Sequence, residues 1–255
     1  MPRHGCGAMA RGPACSSRTC SDPAVSLPSP TVVHLDAVAA RAPSRLAVHD
    51  GHGPVTYGEF HHRVVRCAQV LLALGFRPGD RAAIAAQAIG RELVLSLAVE
   101  GLGGVTASCA AAGDEAAPAL YARVQWVLAA APQAVPAGVR FVLVDDAFLR
   151  TLDQPLQGPA PAWAAPTPDA PVRLARTSGS SGPPKFLVHD RTALEWWIAS
   201  AYTSCLLAQG QDSRLLVLCP LVVGGAYARA AACLRIGAAV LGGAHVDLAA
   251  MRPTA

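Results

Sequence analysis

From Thr31 onward the chain switches repeatedly between the period of an amphipathic helix and the short apolar run of a buried strand. VVHLDAVAAR predicts a short helix stopped by Pro43, and RLAVHDGHGPVTY a hairpin turning at DGHG. Thr56 and Glu59 stand in capping-box spacing. Phe60, Val64, Cys67, Ala68, Leu71 and Leu72 then recur at three and four, so a helix with one apolar face runs from Thr56 to Gly75, ahead of Pro78. RAAIAAQA predicts a buried strand, RELVLSLAVEGLGG a helix, VTASCA a strand, ALYARVQWVLAAA a helix, and FVLVDD a strand reaching Asp146. Beyond a Pro- and Ala-rich stretch come strands VRLAR and FLVHD, helix TALEWWIASAYTSCLLAQG, strand RLLVLCP, helix GAYARAAACLRIG and strand AAVLGG. Apolar strands alternating with helices predict an α/β fold of layered, parallel-sheet subdomains.

The same reading divides the chain. Residues 1–30 are basic, rich in Gly, Pro and Ser, and without periodicity, which predicts a disordered tail. Residues 31–153 make a first α/β subdomain, 154–171 a linker, and 172–255 a second α/β segment. At 52% apolar and 15% charged residues the chain as a whole is globular. The most apolar stretch, Leu215 to Ala228, holds Pro220 and a glycine pair, which argues against a membrane span. The net charge of +4 comes from singly spread basic residues, mostly arginine, and no basic groove for nucleic acid is predicted. Eight cysteines include no C-x-x-C pair, which fits a reducing cytoplasm better than a disulfide framework. The eight histidines are too scattered for a zinc site.

Between strands VRLAR and FLVHD lies TSGSSGPPK, Thr177 to Lys185. Its composition alone allows a linker or a surface hairpin loop. Its position between strands points to an anion site. Small residues let several backbone N–H groups turn inward, Ser and Thr hydroxyls add donors, and a lysine supplies a point charge for phosphate. It is not a Walker A loop, because Pro184 precedes the lysine, Phe186 follows it, and a strand comes next rather than a helix. The adjacent pair His189-Asp190 is no catalytic dyad, since neighbours on a strand point to opposite faces. Trp196 and Trp197 are expected to pack in the core.

This loop resembles the signature [T]-S-G-[ST]-[ST]-G-x-P-K of the adenylate-forming enzymes, which include acyl-CoA synthetases and peptide-synthetase adenylation domains. Thr177, Ser178, Gly179, Ser180, Ser181, Gly182, Pro184 and Lys185 fill every defined position. The resemblance extends upstream through Thr56, Tyr57, Glu59, Gly75, Pro78, Gly79 and Asp80, and downstream through Pro220 and Gly237. It implies ATP and Mg²⁺ as cofactors, a small carboxylic acid as substrate, and CoA or a carrier-protein pantetheine as the thiol acceptor. It also implies phosphate-binding roles for Thr177, Ser178, Gly179, Ser180, Ser181, Gly182 and Lys185. The chain departs from the family pattern at Phe186, where Gly is usual, and at Pro220-Leu221-Val222-Val223, where an aromatic and a His are common. That second departure makes Val223 part of an apolar acid-pocket wall. The family's later adenine, ribose and C-terminal lysine segments have no match here. The resemblance therefore implies the front portion of an acid–thiol ligase, not competent alone. The alternatives are a non-catalytic nucleotide-binding remnant, or one half of an enzyme whose C-terminal half is separately encoded.

Overall fold

The computed structural model describes residues 30–109, 114–165, 167–177, 185–205 and 210–243. The chain opens with α1 (Thr31–Arg41), then hairpin strands β1 (Leu46–Asp50) and β2 (Gly53–Thr56), and helix α2 (Tyr57–Ala73). The predicted capping box starts α2. The Thr56 hydroxyl accepts from the Glu59 amide at 3.3 Å, and the Glu59 carboxylate accepts from the Thr56 amide at 2.8 Å. Two donors that the first turn leaves without helical partners are thereby satisfied. Next come β3 (Arg81–Ala85), α3 (Ile89–Gly101), β4 (Val105–Ser108), α4 (Ala117–Tyr121), β5 (Trp126–Ala129), β6 (Arg140–Leu143) and α5 (Asp146–Leu152). The second part holds β7 (Pro171–Thr177), β8 (Lys185–Asp190), α6 (Arg191–Cys205), β9 (Arg214–Val217), α7 (Gly224–Ile236) and β10 (Ala239–Gly242).

Two sheets result. One has strand order β2-β1-β10-β9, and the other β6-β5-β3-β4-β7-β8. Neighbours run parallel except in the pairs β1–β2 and β7–β8. Each sheet draws strands from both sides of residues 154–171. Helix α3 touches β1 of one sheet and β3 and β4 of the other, so helices form the layer between them. The main core fills this layer, with Phe60, Leu93, Leu97, Tyr227 and Leu234 almost wholly buried. A smaller core covers the outer face of the six-stranded sheet. Period-two alternation sorts residues between the two: Ala82, Ile84, Trp126 and Leu128 face inward, and Ala83, Ala85, Val127 and Ala129 outward.

The structure corrects two expectations. ALYARVQWVLAAA is not one helix. Only Ala117–Tyr121 is helical, and Trp126–Ala129 is a strand buried on both faces between β3 and β6. An apolar run without a polar face carries no period to separate helix from strand. FVLVDD ends as a strand at Leu143, because Asp145 caps α5 by accepting from the Phe148 amide at 2.9 Å. The Pro- and Ala-rich stretch between the two α/β parts is held at its one aromatic residue. Trp163 donates to Asp36 at 2.8 Å and lies against Gly101, whose carbonyl accepts from the Ala164 amide at 2.8 Å. The tail expected over residues 1–30 lies outside the described residues except for Pro30.

Candidate functional site

Strands β7 and β8 pair antiparallel in the register Arg173↔His189, Ala175↔Leu187 and Thr177↔Lys185. Residues two apart on a strand share a face. Thr177, Lys185, Arg173 and His189 therefore all leave the sheet on the side of α6 and α7, where His189 meets Trp197 and Arg173 meets Tyr227. At the open end the Thr177 hydroxyl donates to the Lys185 carbonyl at 3.4 Å. Ser178, Gly179, Ser180, Ser181 and Gly182 fall in the connection 178–184, outside the described residues. Lys185 is exposed and makes no side-chain hydrogen bond or ion pair with the described residues. It is also the only lysine in the chain, the other 20 of its 21 basic residues being arginine. A compact ammonium at the base of a loop, uncommitted to any described carboxylate, is suited to a phosphate.

The root of the hairpin is fixed by a buried polar network. Arg173 and Thr106 are register partners, so Thr106, Ser108 and Arg173 all point into the helix layer. The Arg173 guanidinium donates to Thr106 Oγ1 at 3.0 Å, Ser108 Oγ at 2.6 Å and the Leu221 carbonyl at 3.0 Å. It also lies 3.8 Å from the centre of the Tyr227 ring. Glu100 Oε1 accepts from the Tyr227 hydroxyl at 2.7 Å and the Thr106 hydroxyl at 3.0 Å, and stands 4.0 Å from Arg173. One guanidinium thus joins the loop hairpin, the end of β4 and the segment leading into α7. Burial, compounded by the Glu100 charge, holds the Tyr227 hydroxyl well above its usual range. Glu92, in the first turn of α3, is also buried. Burial pushes its carboxyl up to about 7, against opposing pulls from the Ser108 hydroxyl and Arg173.

The segment entering α7 makes the neighbouring wall. Val223 is the residue before α7 and is 50% exposed. Leu221 is fully buried beneath it. A side chain on Gly224 would place its Cβ 2.6 Å from the Trp197 ring, so glycine is what lets α6 approach here. The tryptophan pair divides: Trp197 packs against the core, whereas Trp196 is 68% exposed. His189 and Asp190 take separate roles. His189 lies 4.4 Å from Trp197, centre to centre, with its basicity lowered by burial and then by Arg173. Asp190 accepts from the Ala193 amide at 2.7 Å and so begins α6. Phe186 packs on the outer core beneath the Arg123 guanidinium. Sequence reading missed Arg173, Glu100, Glu92 and Tyr227. Their signal was polar residues inside segments otherwise apolar enough to be core.

The sequence matches the AMP-binding enzyme family over residues 35–251. The chain belongs to that family. No curated protein sequence matches it. Among solved structures, this AMP-binding chain is similar to a fatty acyl CoA synthetase of Mycobacterium tuberculosis, with 22% identity and a TM-score of 0.70, covering 86% of this chain and 45% of that one. It is similar to the N-terminal domain of FACL13 from the same organism, with 23% identity and a TM-score of 0.72, covering 87% and 59%. The N-terminal subdomain of Klebsiella oxytoca NpsA, solved with 3-hydroxybenzoyl-AMSN, gives 18% identity and a TM-score of 0.69, covering 86% and 55%. The chain thus spans about half the length of these structures. The shared α/β architecture is that of an adenylate-forming N-terminal subdomain. No helix among the described residues is long and apolar enough to cross a membrane.

Proposed function

We propose that this chain binds ATP through the 177–185 loop and serves the adenylate-forming half-reaction of an acid–thiol ligase. A carboxylate oxygen attacks the α-phosphorus of ATP, the bond to the bridging oxygen breaks, and pyrophosphate leaves with its Mg²⁺. The observation that carries the reading is the hairpin itself. It pairs Thr177 with Lys185 across a seven-residue Ser/Gly/Pro connection and leaves the lysine uncommitted among the described residues. Thr177, Ser178, Gly179, Ser180, Ser181, Gly182 and Lys185 hold the β- and γ-phosphates in this reading. Charge building on the leaving phosphates is what a loop of donors and a cation stabilises best.

Val223 and Trp197 border the acid in this account, which favours an acid with an apolar or aromatic body. The neighbours named for a fatty acyl CoA synthetase and for an aryl-AMSN complex support that choice. CoA or a carrier-protein pantetheine is the proposed acceptor. The test is ATP·Mg²⁺ binding by the purified chain, followed by ATP–pyrophosphate exchange with a panel of aliphatic and aryl acids. Saturable binding, weakened in Lys185→Ala, is expected of this chain alone, and acid-dependent exchange would add the catalytic step to it. No ATP binding by the folded chain would overturn the reading.

A further inference from the structure

A cleft of about 330 Å³ opens between the β1–β2 hairpin and helices α2, α3 and α5. This is the small end of ligand cavities, which run roughly 300–1,000 Å³. It is remote from the phosphate loop. Val144 and the α5 residues of its wall follow β6, and β6 and β8 are the opposite edges of the six-stranded sheet. At roughly 4.8 Å per strand spacing, these two edges stand about 24 Å apart. Aliphatic residues and charged residues share the walls, and the buried Phe60 ring, Val94 and Leu95 supply an apolar face.

The charges around the cleft are unequally committed. Asp50 is occupied by backbone donors, accepting from the His52 and Gly90 amides at 3.0 Å each. Asp153 is occupied by Arg63 at 2.7 Å. Arg91 meets only the His52 ring nitrogen at 3.3 Å, and Arg150 has no side-chain partner among the described residues. The one carboxylate left against these two cations is Asp146, one turn before Arg150 on α5 and exposed. Two guanidinium groups without carboxylate partners, above an apolar base, describe a receptor for an anion with an apolar body.

We propose that this cleft is a second ligand site, separate from the nucleotide site, for a medium-chain or aryl carboxylate. Its head pairs with Arg91 and Arg150, and its body displaces water from the face of Phe60, Val94 and Leu95. Because none of its lining residues belongs to β7 or β8, the site stands whether or not the chain adenylates an acid.

The test is calorimetric titration of the full chain with sodium octanoate and sodium benzoate, beside the neutral amides octanamide and benzamide. The titrations are repeated in the double variant Arg91→Gln/Arg150→Gln and in Val223→Glu, and circular dichroism checks that each variant is folded. Saturable binding of at least one carboxylate is expected. Its amide should bind about tenfold more weakly or worse, and the arginine double variant should lose about tenfold, since hydrogen bonds to charged groups carry that much. Val223→Glu disrupts any binding at the wall beside α7, and the component that the arginine variant loses should remain in it. No saturable binding, or equal binding of acid and amide, would overturn the proposal. So would binding that survives in the arginine variant and disappears in Val223→Glu, which would assign the carboxylate to the wall beside α7.

Discussion

Replacing Glu92 by glutamine tests how the base of the hairpin is built. Glu92 is 5% exposed, and its Oε1 has no hydrogen-bond partner among the described residues. Its carboxyl titrates at about 7 in the folded chain against 4.5 for the ordinary group. The native state therefore holds a proton that the unfolded state has released throughout that window. Folding takes up a proton there, so stability is greatest below about pH 4.5 and falls as pH rises through about 7. A shift of this size, at about 1.4 kcal/mol per unit, is worth about 3 kcal/mol. For a chain of this length that is roughly 6–12 °C in unfolding midpoint. Glutamine keeps the shape and cannot ionise. Glu92→Gln should match the parent within about 1 kcal/mol near pH 5 and exceed it by about 3 kcal/mol near pH 8. Urea denaturation followed by circular dichroism across that range measures the difference directly. A gap that stays constant with pH, or a parent chain that gains on the variant as pH rises, would refute the argument.

Arg173→Met removes the guanidinium from Ser108, Thr106 and Leu221 and leaves Glu100 buried without it. The expected loss is about 3–5 kcal/mol, read from the urea midpoint, and no change would show the network to be dispensable. Thr56→Ala breaks the capping box and should cost about 1 kcal/mol. Glu59 is held below its ordinary range by the Thr56 backbone and side chain, so the stability it brings is present above about pH 4.5 and lost on acidification; the penalty of the variant should shrink there. Since Lys185 is the only lysine, a lysine-selective acylating reagent should modify one side chain, and ATP·Mg²⁺ should slow that modification. Labelling indifferent to ATP, followed by mass spectrometry, would count against the loop as a phosphate site.

The parts legible in the sequence are those whose residues interact locally. Thr56 and Glu59 are three apart and find each other within one turn. The hairpin DGHG turns on its own residues, and the strands flanking TSGSSGPPK needed only their apolar runs. What stayed hidden depends on distant partners. Trp126–Ala129 is a strand because β3 and β6 flank it, which its four apolar residues cannot announce. Arg173 reads as one charge in VRLAR until α3, β4 and α7 surround it with Glu100, Ser108 and Tyr227. Trp163 makes a strap of a proline-rich stretch only because Gly101, over sixty positions earlier, leaves room for its ring.

The central claim is that the hairpin cradles nucleotide phosphates, and calorimetry of ATP·Mg²⁺ binding to the 255-residue chain beside Lys185→Ala tests it most directly. The account predicts saturable binding by the parent and weakening by about tenfold or more in the variant, the worth of a charge-assisted contact to phosphate. Equal binding by both, or none by a folded parent chain, would contradict it.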